Sequence, residues 1–160
     1  MLFTRFPSGT SSSAEVTAGR NVLLHSPTDW AVTDGDWDSI VMHELVHYIS
    51  DRQPDDQKRR LSDRFLARCS IPEQARRLWM LEEPLAVAIG QAAYSQEVLG
   101  EPLDPRSNWY STPWIDLTGR TLVSSVLAAL ETGATIEQTT IVEEAADRCR
   151  SLTAIGEQFN

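Results

Sequence analysis

Positive charge is scarce in this chain. Its 160 residues carry 14 Lys and Arg against 23 Asp and Glu, for a formal net charge of -9. A deficit of that sign excludes broad nucleic-acid binding, which needs a basic footprint over the phosphates. The cations present are bunched. Arg52, Lys58, Arg59, Arg60, Arg64, Arg68, Arg76 and Arg77 fall in one quarter of the chain. The expectation is a solvated helix face with acidic neighbours, an acidic partner being the alternative. Cysteine is rarer still. Cys69 and Cys149 are the only two, too few for a disulfide-built fold and in no local metal-binding spacing. Two reduced, buried thiols are expected, with one long-range disulfide as the alternative. No apolar run approaches the length of a membrane span, and no charged-then-apolar leader opens the chain. No membrane partner is expected, and cytoplasmic residence is the default, with secretion by a route that shows no signal peptide left open. No internal repeat is visible. What remains is a length suited to one domain, 1–160, with a sizeable core.

The local signals are mostly helical. Residues 1–20 run into Ser8-Gly9-Thr10-Ser11-Ser12-Ser13 and read as an irregular lead-in. Asn21 to His25 fits a short strand. A helix is predicted from about Trp37 to Ser50, with Ile40, Val41, Leu45 and Tyr48 on a packing stripe. Pro54 marks a break, and a second helix covers Asp55 to Cys69. Ser70-Ile71-Pro72-Glu73 has capping-box form and opens a third helix towards Ala93, interrupted at Pro84. Leu99 to Asp116 reads as a long ordered loop. Another helix spans about Gly119 to Leu130, with Gly133 as its stop. Thr140 and Glu143 have capping-box spacing for a last helix, Ile141 to Leu152.

Histidine is also sparse, at three residues, yet two of the three stand in His43-Glu44-Leu45-Val46-His47. A helix sets such a pair on one side, about 6 Å apart along its axis. There they can grip one Zn2+, while Glu44, beside the first, can act as general base towards a water molecule. An accidental match in a chain this long is on the order of 0.5 %. A catalytic metal needs a third ligand. His25 is the only other histidine, so the best source is Glu82-Glu83, whose charges sit within an apolar run and need a partner. Zinc-dependent hydrolysis of peptide bonds is therefore the leading reading. The alternative is a metal-bound structural or protein-interaction domain without catalysis.

The chain here resembles the gluzincin-type zinc metallopeptidases. In that group a helix carries His-Glu-x-x-His and a later helix supplies a glutamate ligand, often three residues before an alanine. Glu83 with Ala86 matches that spacing. The resemblance spans about Trp37 to Tyr94 and implies His43, His47 and Glu83 as ligands of one zinc and Glu44 as base, with Glu82 the alternative third ligand. Pro84 departs from the group's pattern. So does Val87, where an acidic residue would orient a ligand imidazole; Asp51 is the substitute to consider. The fold implied is mainly α but zincin-like α+β, with the metal-binding and glutamate-bearing helices packed beside a small or reduced β-sheet. A developing oxyanion also wants a donor. Tyr110 is the first candidate, then Tyr94 and His25, while Tyr48 reads as core. Trp109 and Trp114 either fill a substrate subsite or anchor the loop. The substrate expected is a restricted peptide or protein.

Overall fold

The computed structural model describes residues 2–6, 13–17, 21–27, 34–70, 79–104, 106 and 109–157. Three short strands come first: β1 (Leu2–Phe6), β2 (Ser13–Thr17) and β3 (Asn21–Pro27). β3 is central, parallel to β1 and antiparallel to β2. The expected strand at Asn21 is thus found, two residues longer, and two more strands fall within the stretch read as an irregular lead-in. Helices then follow: α1 (Asp34–Asp51), α2 (Asp55–Leu66), α3 (Trp79–Ala86), a π-helical segment (Val87–Ala93), α4 (Tyr94–Glu97), α5 (Pro113–Thr132), a 3-10 turn (Ile136–Gln138) and α6 (Ile141–Glu157).

The buried apolar core is built by helices. Leu61 and Phe65 come from α2, Leu81 from α3, Ala88 and Ala92 from the π segment, Leu122 and Val126 from α5, and Val142 and Ala146 from α6. α3 packs against α1, α5 and α6, while α1 also meets β2 and β3. The zincin-like α+β expectation is therefore corrected. The glutamate-bearing helix is wedged among helices, and the core that the described side chains build is helical. The physical reason is composition. Leu81, Ala86, Val87, Ala88, Ala92 and Ala93 offer a nearly continuous small apolar surface, which suits close helix–helix approach better than a pleated face.

Local chemistry sets the helix ends. α2 starts after Pro54 with Asp55 and Asp56 in its first turn and has Arg64 in its last, each charge matched to the helix dipole. α5 starts six residues before the expected Gly119. Pro113, read as loop punctuation, occupies the first turn of the helix, where its missing donor costs nothing. α5 stops as expected at Gly133, whose φ of 64 places it in the left-handed region. Before α6, Thr140 bonds Glu144 (2.6 Å), not Glu143. The capping box falls instead on Thr135 and Gln138 at the 3-10 turn. The box expected over residues 70–73 lies outside the described residues.

Of the bunched cations, Lys58, Arg60, Arg64 and Arg68 have the acidic neighbours expected, while Arg76 and Arg77 lie outside the described residues. Arg60 pairs with Asp56 and Glu137, and Arg68 with Asp147. Arg64 grips Glu143 through both oxygens, at 2.8 and 2.7 Å. The pairs with Glu137, Asp147 and Glu143 tie α2 and the turn after it to α6 and the turn before it, and exposed pairs of this kind add little to stability. Among the described helices none is long and apolar enough to cross a membrane.

The cysteines are buried, as expected, but they are not free thiols. Cys69, in the turn after α2, is bonded to Cys149 on α6, with Cα atoms 6.0 Å apart and a separation of 80 positions in sequence. α2 and α6 pack together, so the two sulfurs meet at a contact that sequence spacing does not reveal. A link closing a loop of this length removes much unfolded-chain entropy. Urea melts of the Cys69→Ala/Cys149→Ala protein are expected to show about 4 kcal/mol less stability than the oxidised parent, with reductant affecting the parent alone.

Candidate metal centre

α1 carries His43, Glu44 and His47, and α3 carries Glu82 and Glu83. His43 and Glu44 are buried, at 5 % and 6 % exposure, and Glu83 is at 9 %. Helical spacing places His43 and His47 one turn apart on the same side, and their Nε2 atoms are 3.2 Å apart. The Glu83 carboxylate spans the pair. Its Oε2 lies 3.4 Å from His43 Nε2 and its Oε1 3.3 Å from His47 Nε2. Three donors about 2.0–2.1 Å from a common tetrahedral ion would stand about 3.3 Å from one another. The Nε2–Nε2 separation of 3.2 Å matches that spacing, and each imidazole nitrogen has its own Glu83 oxygen at 3.3 or 3.4 Å, so the carboxylate bridges the pair through both oxygens.

The electrostatics point the same way. Glu83 Oε2 is buried and has no aligned hydrogen bond despite its nearness to His43. Burial pushes the Glu83 carboxyl up, but His43 and His47 more than reverse this and hold it far below the usual carboxylate range. A buried, ionised oxygen without a donor is a place for a cation. Atoms of His43, Glu44 and His47 also cluster within 4.8 Å of one another. The donor set of two imidazoles and carboxylate therefore fits a divalent metal ion.

Both imidazoles are oriented through their other nitrogen. His43 Nδ1 is 3.0 Å from the Gln91 side-chain oxygen, so a neutral His43 donating there turns an unprotonated Nε2 towards the cluster. His47 Nδ1 faces Glu82 Oε1 at 3.6 Å. Glu82, the alternative third ligand, thus stands behind His47, while Glu83 reaches both Nε2 atoms.

Gln91 was not singled out from sequence, and Asp51 was considered in its stead. Asp51 is exposed at the end of α1, where its carbonyl accepts from Lys58. Gln91 comes within reach because the backbone widens. The π segment follows Pro84 in the same continuous helical run, and such segments shift the register of everything beyond them. Gly90 completes the approach. A Cβ there would meet His43 N at 2.6 Å and its Cα at 2.7 Å, so only glycine lets the two backbones touch.

Tyr110 stacks on His43, with ring centres 5.9 Å apart and planes at 14°. Burial first, then the Glu83 and Glu44 carboxylates, push its phenol up to about 12. It is a protonated donor at neutral pH. The other aromatic candidates are elsewhere. Tyr48 is half-buried with Arg52 4.2 Å over its ring, a surface placement and not the core one expected. Tyr94 opens α4 beyond the π segment. His25 is in β3, and its side chain lies outside the described residues. Trp109 packs against the core and so anchors its loop, whereas Trp114 belongs to the first turn of α5. A separate apolar cavity of about 470 Å³ opens against the Met42, Val46 and Ile49 side of α1, and Glu82 forms part of its wall.

The His43-Glu44-x-x-His47 cluster matches the HExxH metal-binding spacing of the gluzincin peptidases. No protein-family model, curated protein or solved structure matches the chain.

Without metal, His47 is a strong base. Burial lowers its pKa, but Glu82 and Glu83 overturn this and raise it to about 10 from 6.5. A folded-state value above the unfolded one contributes stability that is complete below pH 6.5 and lost as pH rises to about 10. Glu83, shifted the other way from 4.5, contributes above that pH and loses its share on acidification. The melting temperature of the metal-free protein is expected to fall between pH 6.5 and 10. His47→Ala should lose most of that slope in the same thermal scans.

Proposed function

We propose that the protein is a zinc-dependent peptidase acting on a restricted peptide or protein substrate. The observation that carries this reading is the triangle of His43 Nε2, His47 Nε2 and the Glu83 carboxylate, with Glu44 buried at its side. His43, His47 and Glu83 would hold the ion. Bound there, zinc would acidify the attacking water and polarise the scissile carbonyl.

The remaining work falls to side chains. Glu44 is next to the first ligand in sequence and so points beside the ion and not onto it. Its carboxylate can take the proton of the attacking water and deliver it to the departing amine. Tyr110, held protonated, can donate to the oxygen on which negative charge develops. Gln91 and Glu82 hold the imidazoles in register. The burial of His43, Glu44 and Glu83, roofed by the Tyr110 ring, favours an extended or loop segment of one protein over indiscriminate digestion.

Glu44→Gln separates catalysis from metal binding, since it removes the base and no ligand. The variant is expected to keep about one zinc per chain by elemental analysis and to lose cleavage of a peptide library about 10³-fold. Full retention of biological activity with zinc bound would instead identify a structural metal domain.

A further inference from the structure

A phenol on an irregular segment has no fixed place unless something holds its backbone. We propose that Asp116 is the positioning residue for Tyr110, clasping the loop so that the ring is set over His43; its effect on turnover rests on the peptidase reading above. Asp116 is the fourth residue of α5 and is 7 % exposed. At that depth a carboxylate is unfavourable unless satisfied. It is past the cap position, and the amides it serves belong to the loop. Its Oδ1 accepts the backbone N–H of Trp109 at 2.8 Å and of Tyr110 at 3.2 Å. Its Oδ2 accepts from Arg120 Nε at 2.8 Å. The Arg120 guanidinium in turn lies 4.1 Å over the Trp109 ring. One carboxylate thus fixes two successive loop amides, and its counter-ion covers the side chain of the first.

The base of this clasp is registered on the glutamate helix. Gly119 lies one turn beyond Asp116 on α5. A Cβ on it would meet Val87 Cγ1 at 2.7 Å and the Pro84 carbonyl at 3.2 Å. α5 therefore touches the backbone of the residue after Glu83. The constraint runs from Glu83 and Pro84 through Gly119 to Asp116, on to Tyr110, and back through the ring stack to His43. Tyr110 is thereby placed by the element that places Glu83, although it lies 27 residues further along the chain.

The test uses the full zinc-loaded chain and four variants: Asp116→Ala, Asp116→Asn, Arg120→Gln and Tyr110→Phe. Amide hydrogen exchange at Trp109 and Tyr110 reads the clasp without reference to activity. Asp116→Ala is expected to lower protection there at least about tenfold, and zinc content should stay at one per chain. It should cut kcat about 10- to 100-fold with KM within about threefold. Asp116→Asn keeps an acceptor oxygen and should restore most of both. In a Tyr110→Phe background, Asp116→Ala should add little, because both changes remove the same effect. If Asp116→Ala does not fold, Arg120→Gln should still lower protection of both amides about threefold or more. Unchanged protection in the variants would overturn the proposal, as would an undiminished kcat loss in the Tyr110→Phe background. A parent protein that hydrolyses no peptide would defeat the peptidase reading alone, and amide exchange would still decide the clasp.

Discussion

The near-contact of α1 with the π segment at Gly90 is the constraint on which the site depends. Nothing larger than hydrogen fits between residue 90 and the His43 backbone. Beside it Gln91 stands 3.0 Å from His43 Nδ1. α3 packs against α1 as well, and Glu83 reaches both Nε2 atoms. The donors lie on α1 and α3, two helices held together by a packed contact. The cost of the arrangement is visible in Glu83 Oε2, an ionised oxygen left without an aligned hydrogen bond. In proteins such a cost is borne where a ligand relieves it.

The two sides of the centre are oriented differently. His43 is held by a neutral amide, whereas His47 faces two carboxylates, which more than offset the lowering of its pKa by burial. The proton on His47 and a metal ion compete for one lone pair, so the same acidic pair that stabilises the empty fold attracts the cation that replaces the proton. Tyr110 completes the enclosure from a third direction. Its ring packs flat on His43, and burial, with the Glu83 and Glu44 carboxylates, raises the pKa of its phenol.

The HExxH helix was fully legible, since one imidazole per turn on one helix face is a local property. Apolar flanks and the spacing to Ala86 single out Glu83 in sequence, and it stands within 3.4 Å of both Nε2 atoms while Glu82 faces His47 Nδ1, which is what the proposed ligand role rests on. Gln91 was not. Its position opposite His43 depends on the widened backbone after Pro84, and a π segment leaves no periodic signature of its own. Pro84 was read as an interruption, yet the helical run passes through it and the disturbance falls a turn later, at Val87. The start of α5 was missed because Pro113 is equally at home in a turn and at a first helical position. The Cys69–Cys149 bond and the helical core seen among the described residues are properties of α2, α3, α5 and α6 packed together, and no short stretch of sequence carries them.

The direct test of the metal centre is anomalous diffraction at the zinc edge from crystals grown with zinc. The account predicts one peak, about 2.0–2.2 Å from His43 Nε2, His47 Nε2 and a Glu83 oxygen, with a non-protein atom in the fourth position. A peak bound by only one of the two imidazoles, a fourth protein ligand closing the site, or no peak between the two helices would contradict it.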